Sequence, residues 1–216
     1  MARRKLFKKA EYETFHNAYT PSDQQAGRWH EVFENQHPLI LELGCGKAEF
    51  SVGMAKKYPE QNFLGVDLKA DRLWKPAGDA LEEEIPNLAF LCINLLHIDE
   101  HVAENEADEI WITFPDPFPK KRQAKHRLLH PIFLHKYQKV LKPGGILHFK
   151  TDNLELFQYS LEVLVEGGNA GFRQLSFDLH QDGRISEDAK ILTTYERKFL
   201  DMGKTINYVS MTFTEA

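Results

Sequence analysis

The stretch Leu39-Ile40-Leu41-Glu42-Leu43-Gly44-Cys45-Gly46-Lys47-Ala48-Glu49 decides the fold. A short apolar run follows Pro38 and stops at a glycine, which predicts a buried strand over Leu39–Leu43. Gly44 and Gly46 let the chain turn tightly and bring its backbone close to a ligand. Phe50 and Met54 then stand four apart and Pro59 stops the run, so a helix is predicted over Glu49–Tyr58. A strand that passes through glycines into a helix is the first crossover of an open α/β sheet, where ligands sit at the carboxyl ends of the strands.

The alternation continues outward. Strands are predicted over Phe63–Leu68, Leu88–Ile93, Glu109–Phe114 and Ile146–Lys150. Helices are predicted over Ala70–Glu84, where Pro76 and Gly78 should break or kink the helix, over Leu129–Leu141, and from Leu154 to about Gly167. Lys142-Pro143-Gly144-Gly145 reads as a turn that ends the second of these. Two last strands, Phe172–His180 and Ile206–Phe213, have no clear helix between them, only the polar loop Gln181–Leu192. The expectation is a Rossmann-like, doubly wound α/β fold: a mostly parallel sheet of about seven strands with an antiparallel C-terminal edge strand. Residues 1–36 read as a basic arm and lead-in helix, and residues 37–216 as the one folded domain.

Composition bounds the function. The 216 residues are 42% hydrophobic and 27% charged, the balance of a globular protein. No apolar stretch approaches the ~20 residues of a membrane span. Cys45 and Cys92 are too few for a disulfide framework and lack metal-ligand spacing, so no metal is expected. The basic N-terminus is followed by Glu11, Tyr12 and Glu13, not by the apolar stretch of a secretory leader, so the expected compartment is the cytoplasm. Net charge is −5, but its distribution is uneven. Pro117–Lys150 carries nine Lys or Arg and no acid, and the first ten residues carry five basics and no acid. The rest of the chain has 13 basic against 32 acidic residues. An acidic body with two confined basic stretches suits a polyanion that docks in one place.

The crossover also selects a cofactor. A dinucleotide fingerprint wants a third glycine where Glu49 stands, and that carboxylate would oppose a pyrophosphate. S-adenosylmethionine carries a sulfonium and an ammonium and no phosphate, so Glu42 before the first glycine favours it. Asp67, about 20 residues on at the end of the second strand, can accept from both ribose hydroxyls. The pattern E-x-G-x-G with a later acidic residue resembles class I methyltransferases, and that resemblance implies that Asn94, at the end of the third predicted strand, bonds the adenine amino group.

The fourth strand ends in Phe114-Pro115-Asp116-Pro117-Phe118-Pro119-Lys120-Lys121-Arg122. Three prolines fix this backbone and hold Asp116 beside the place for the donor's methyl group. Lys120, Lys121, Arg122, Lys125 and Arg127 follow, a track for phosphates. This stretch closely resembles the signature of the bacterial tRNA (guanine-N7-)-methyltransferase family. So do Phe149-Lys150-Thr151-Asp152-Asn153 and Thr193-Thr194-Tyr195-Glu196-Arg197-Lys198-Phe199 with Gly203.

The resemblance runs from about Leu39 to Phe213. It implies a class I methyltransferase domain over 37–216, S-adenosylmethionine as donor with S-adenosylhomocysteine as product, and guanine 46 in the tRNA variable loop as acceptor. It implies that Glu42, Gly44, Gly46, Asp67, Asn94 and Asp116 bind the cofactor, with Asp116 also at the methyl-transfer centre. Lys120, Asp152, Thr193, Tyr195 and Glu196 would contact the substrate, and Arg122, Lys125 and Arg127 the RNA phosphates. Asp152 or Glu196 would accept from guanine N1–H and N2–H, and Phe114 and Phe118 offer faces for a base to stack on. The family usually has glycine where Ala48 stands, tryptophan for Phe118, aspartate for Asn94, glutamate for Thr194, and arginines near Gln123 and His126. Other readings are a same-fold methyltransferase with another substrate, an NAD-dependent dehydrogenase, and a tRNA-binding protein with weak catalysis. Monomer and homodimer are both compatible with the sequence, and an arm over Arg3–Lys9 is expected to order on RNA.

Overall fold

The computed structural model describes residues 2–214. Met1, Glu215 and Ala216, which fall in the expected arm and domain, lie outside the described residues. The chain begins with helix α1 (Ala2–Tyr12), the two-residue strand β1 (Ala18–Tyr19) and the short helix α2 (Trp29–Val32). Then come β2 (Leu39–Leu43), α3 (Glu49–Lys57), β3 (Asn62–Asp67), α4 (Ala70–Glu82) and β4 (Leu88–Cys92). The single turn α5 (Ile98–His101), β5 (Ala107–Thr113), α6 (Pro131–Val140), β6 (Leu141–Thr151) and α7 (Leu154–Glu166) follow. The chain closes with β7 (Ala170–Ser176), α8 (Thr194–Asp201) and β8 (Asn207–Phe213).

The strands form one sheet in the order β1-β4-β3-β2-β5-β6-β8-β7. From β1 to β6 every pair is parallel, and β8 runs antiparallel to both β6 and β7. The antiparallel C-terminal strand therefore lies one place in from the edge, and β7 is the edge. Strand alternation feeds two cores. Leu39, Leu41 and Leu43 of β2 join the face under α6 and α7, while Ile40 joins the face under α1, α3 and α4. The same period in β6 sends Leu147 and Phe149 to the first face and leaves His148 and Lys150 on the second.

Four local expectations need correction. Pro76 does not break α4, which runs through it. The proline is buried there, and Gly78 faces Phe15, so packing against the N-terminal segment offsets the missing N–H. The Lys142–Gly145 turn is absorbed into β6 as a bulge: Leu141 already pairs with Ala107, and the register shifts before Ile146. Only glycine fits at 145, because a Cβ there would lie 2.9 Å from the Lys142 carbonyl oxygen. A helix, α8, stands where none was expected between β7 and β8. The basic N-terminal stretch, expected to order on RNA, is already helical as α1. It packs on α4, with Lys8 over the Trp74 ring at 4.3 Å and Lys5 3.7 Å from Asp71.

Candidate active site

The carboxyl ends of β2, β3, β5 and β6 open into one cleft of about 950 Å³. Its floor is the β2–α3 crossover. Gly44 and Gly46 both have positive φ, +72° and +60°, and nothing lies within 4 Å of where a Cβ on Gly46 would stand. Ala48 also sits in the left-handed region, at φ +52°, a conformation that favours glycine.

Glu42 is buried on the α3 face of β2. Its Oε2 accepts from the Ser51 N–H at 3.0 Å and the Ser51 hydroxyl at 2.6 Å, and its Oε1 accepts from the Thr113 hydroxyl at 2.7 Å. Burial raises its pKa above the ordinary glutamate range, and the Ser51 and Thr113 hydrogen bonds oppose that rise. Asp67 is equally engaged. One oxygen accepts from Gly46 N–H at 3.0 Å, the other from Lys69 N–H at 2.9 Å, and Arg72 stands 3.6 Å away. Each Asp67 oxygen keeps a further lone pair toward the cleft. Asn94 is exposed at the cleft wall, its side-chain oxygen accepting from Leu96 N–H at 3.1 Å. Thr113 and Arg72 also line this half and were not singled out from sequence.

The other half differs in character. Phe114 and Phe118 have φ of +50° and +43°, so the proline loop is held in a conformation that bulky residues rarely adopt. Asp116 is exposed at the cleft with no hydrogen-bond or ion-pair partner among the described residues. Lys121–His126 forms a 3-10 turn whose cations face solvent, and Lys125 lines the cleft. Lys120 and Arg122 are exposed just outside it. Arg127 instead turns inward: its guanidinium donates to the Phe118 carbonyl at 3.0 Å and lies 4.3 Å over the Tyr159 ring. The basic stretch is thus thinner than its sequence implies. Lys136 and Lys142 are tied to Asp99 (2.6 Å) and Asp108 (2.8 Å), acids that arrive from other strands and turns, and Lys150 is buried.

The segment between β7 and β8 forms the remaining wall. Thr193 caps α8 through its hydroxyl and lines the cleft, as does Tyr195, which is 60% exposed. Asp152 lines the cleft too, bonded to Lys204. Glu196, expected to contact substrate, is placed elsewhere. It is 0% exposed, its carboxylate held by the Lys150 ammonium at 2.8 Å and the His180 ring at 2.9 Å. Tyr195 and Glu196 are adjacent in the first turn of α8, so their side chains leave the helix in different directions: Tyr195 looks out and Glu196 looks in. Lys150 is the group that the sequence reading overlooked. Among the described residues, no cluster of three or more His, Cys, Asp or Glu has metal-binding geometry. No helix there is long and apolar enough to cross a membrane.

A family model described as a putative methyltransferase matches residues 36–209. A tRNA (guanine-N(7)-)-methyltransferase of Cytophaga hutchinsonii is 40% identical to the chain, with 99% of each covered. One from Christiangramia forsetii is 39% identical, covering 96% of this chain and 97% of its own. The chain belongs to the tRNA (guanine-N(7)-)-methyltransferase family. The 16S rRNA methyltransferase KamB, at 14% identity, superimposes with a TM-score of 0.66 over 88% of this chain and 94% of its own. That likeness establishes the methyltransferase fold.

Proposed function

We infer that the protein transfers a methyl group from S-adenosylmethionine to N7 of a guanine in tRNA, and that this guanine is position 46 of the variable loop. The observation that carries the reading is the asymmetry of the cleft. One side holds carboxylates locked by backbone N–H groups, and the other offers an unpartnered carboxylate beside exposed cations. The residues fit the donor. Gly46 leaves room for a ligand against the backbone, and Asp67 can accept two ribose hydroxyls. Glu42 and Glu49 face the cleft with negative charge, which suits a sulfonium and an ammonium and opposes a pyrophosphate. Asn94 can accept from an adenine amino group through its remaining lone pair.

Bound there, the donor supplies an electrophilic methyl carbon. Guanine N7 has a lone pair and no proton, so the protein needs no general base to make the nucleophile. Its residues need to align N7 with that carbon, which positioning alone can accelerate strongly. The base gains positive charge as the bond forms, and Asp116 stabilises that charge from the proline-braced loop. Asp152 accepts from guanine N1–H and N2–H; Glu196, being buried, is relieved of that role. Tyr195 and Phe118 offer faces to a base drawn out of the tRNA core. Lys120, Lys121, Arg122 and Lys125 meet phosphates, and Arg127 shapes their loop.

The test is nucleoside analysis of tRNA transcripts methylated by the purified protein. The expected product is 7-methylguanosine, and it is lost in a transcript with adenine at position 46. Methylation persisting in that transcript overturns the position, and any other methylated nucleoside overturns the reading.

A further inference from the structure

One buried cation joins both walls of the acceptor side. Lys150, the last residue but one of β6, has a side chain that is 0% exposed, an uncommon place for a lysine. Its ammonium donates to the Ala189 carbonyl at 3.0 Å, the Ile191 carbonyl at 3.0 Å and the Glu196 carboxylate at 2.8 Å, which uses all three of its protons. The two carbonyls lie in the strap of residues 185–193 between β7 and α8, and Glu196 lies in the first turn of α8, into which the strap leads. The same residue also grips the opposite wall. Its carbonyl accepts from Phe114 N–H at 2.9 Å, and its ammonium lies 5.6 Å from the Phe114 ring, at the root of the loop that carries Asp116.

From outside, the strap is clipped to α3. Asp188 accepts from Lys57 and Tyr58, each at 2.6 Å, and Glu49 accepts from Thr194 N–H. Those clips are at least partly open to solvent, where ion pairs contribute little to stability. The Lys150 contacts are dry. Ile185, Ala189 and Ile191 pack the strap against the core under α3, and the Lys150 contacts fix the backbone between them.

We propose that Lys150, with Glu196 as its partner, is a positioning residue for methyl transfer: it fixes the strap so that Thr193 and Tyr195 line the same cleft as Asp116. This rests on the assignment of the cleft to tRNA methylation. Lys150 touches neither donor nor tRNA in this proposal. It acts through the strap, and Glu196 is part of its anchor, not a contact to guanine.

The test uses the full chain with Lys150→Met and Glu196→Leu combined. Replacing a buried ion pair by apolar residues of similar volume is often neutral or stabilising. The fold should therefore survive while the Ala189 and Ile191 carbonyls lose their donor. The expected result is a cooperative melt a few degrees below the parent's, S-adenosylhomocysteine affinity within threefold, and at least 100-fold lower kcat/KM for tRNA. Trypsin should cut after Lys190, whose side chain is 15% exposed in the parent, at least tenfold faster. A folded double variant that methylates tRNA within threefold of the parent overturns the proposal, as does an unchanged cutting rate. Should the double variant fail to fold, Glu196→Gln keeps the volume and one hydrogen bond. It is expected to lose five- to tenfold in turnover with faster cutting, and parental values for both overturn the proposal. The parent is assayed alongside: absence of 7-methylguanosine there defeats the assignment of the reaction, a result separate from any difference between parent and variant.

Discussion

The two halves of the cleft are built on opposite principles. On the donor side the charged groups are already satisfied. Both oxygens of Glu42 and both of Asp67 accept hydrogen bonds from the fold itself, and both side chains are buried. On the acceptor side Asp116, Lys120, Arg122 and Tyr195 face solvent, and the strain sits in the backbone at Phe114 and Phe118. A small ligand that is common to many reactions is met by a pocket finished on folding. In the proposed reaction a large polyanion would be met by exposed groups on stiff supports, whose desolvation waits for the RNA. Substitutions on the two sides should therefore fail differently.

The largest effect is expected at Asp116. Asp116→Ala should lower kcat by about 10³-fold, the order reached on removing one preorganised stabilising group. Its melting temperature should be unchanged, because the side chain supports nothing in the fold. Cofactor affinity, measured by calorimetry, should weaken less than tenfold. Equal losses of turnover and affinity would make Asp116 a donor-side residue and break the contrast. Asp67→Ala should show the reverse signature. S-adenosylhomocysteine affinity is expected to fall ten- to 100-fold. Stability should also drop by about 1–3 kcal/mol, because the Gly46 and Lys69 N–H groups lose their acceptor. Thermal melting with and without ligand separates the two losses.

The cationic turn should give a smaller, salt-dependent effect. Arg122→Ala and Lys125→Ala are each expected to weaken tRNA binding several-fold and to reduce the slope of log affinity against log salt by about one. Arg127→Ala should behave otherwise, since its guanidinium is spent on Phe118 and Tyr159. Its slope should stay near the parent's while turnover falls through loss of loop shape. Filter binding across a salt series distinguishes them, and a full unit of slope lost at Arg127 would return it to the phosphate track.

The same asymmetry governs what could be read in the sequence. The donor half is local: β2, its glycines and α3 are contiguous, Asp67 ends β3 and Asn94 stands two residues past β4, so period and spacing were enough. The acceptor half is assembled from segments up to about 80 residues apart in the chain, between Asp116 and the strap. Composition suggested a basic surface over Pro117–Lys150, yet Asp99 and Asp108 neutralise part of it from elsewhere. Glu196 and Lys150 read as polar residues for substrate or surface, and only the tertiary fold turns them toward each other. One signal was available. Lys150 follows Ile146, Leu147 and Phe149 in a strand flanked by β5 and β8, a position where an unpaired charge is too costly to persist.

The smallest expected effect is at Ala48, and there the comparison is sharpened by a null change. Its left-handed backbone costs about 1–2 kcal/mol for a residue with a Cβ. Glycine removes that cost, but it loses about 0.5–1 kcal/mol through the freedom of the unfolded chain. It also gives up the burial of one methyl group, about 0.8 kcal/mol, and Ala48 is fully buried. The three terms nearly cancel. Ala48→Gly should therefore move the melting temperature by less than about 3 °C in either direction, given about 2–4 °C per kcal/mol at this size. Cofactor affinity should also stay within twofold of the parent's. A donor-side crossover already pinned by Glu42 and Asp67 has no need of the extra glycine, and a large gain in affinity from Ala48→Gly would mean that those two carboxylates leave the loop less finished than their hydrogen bonds imply.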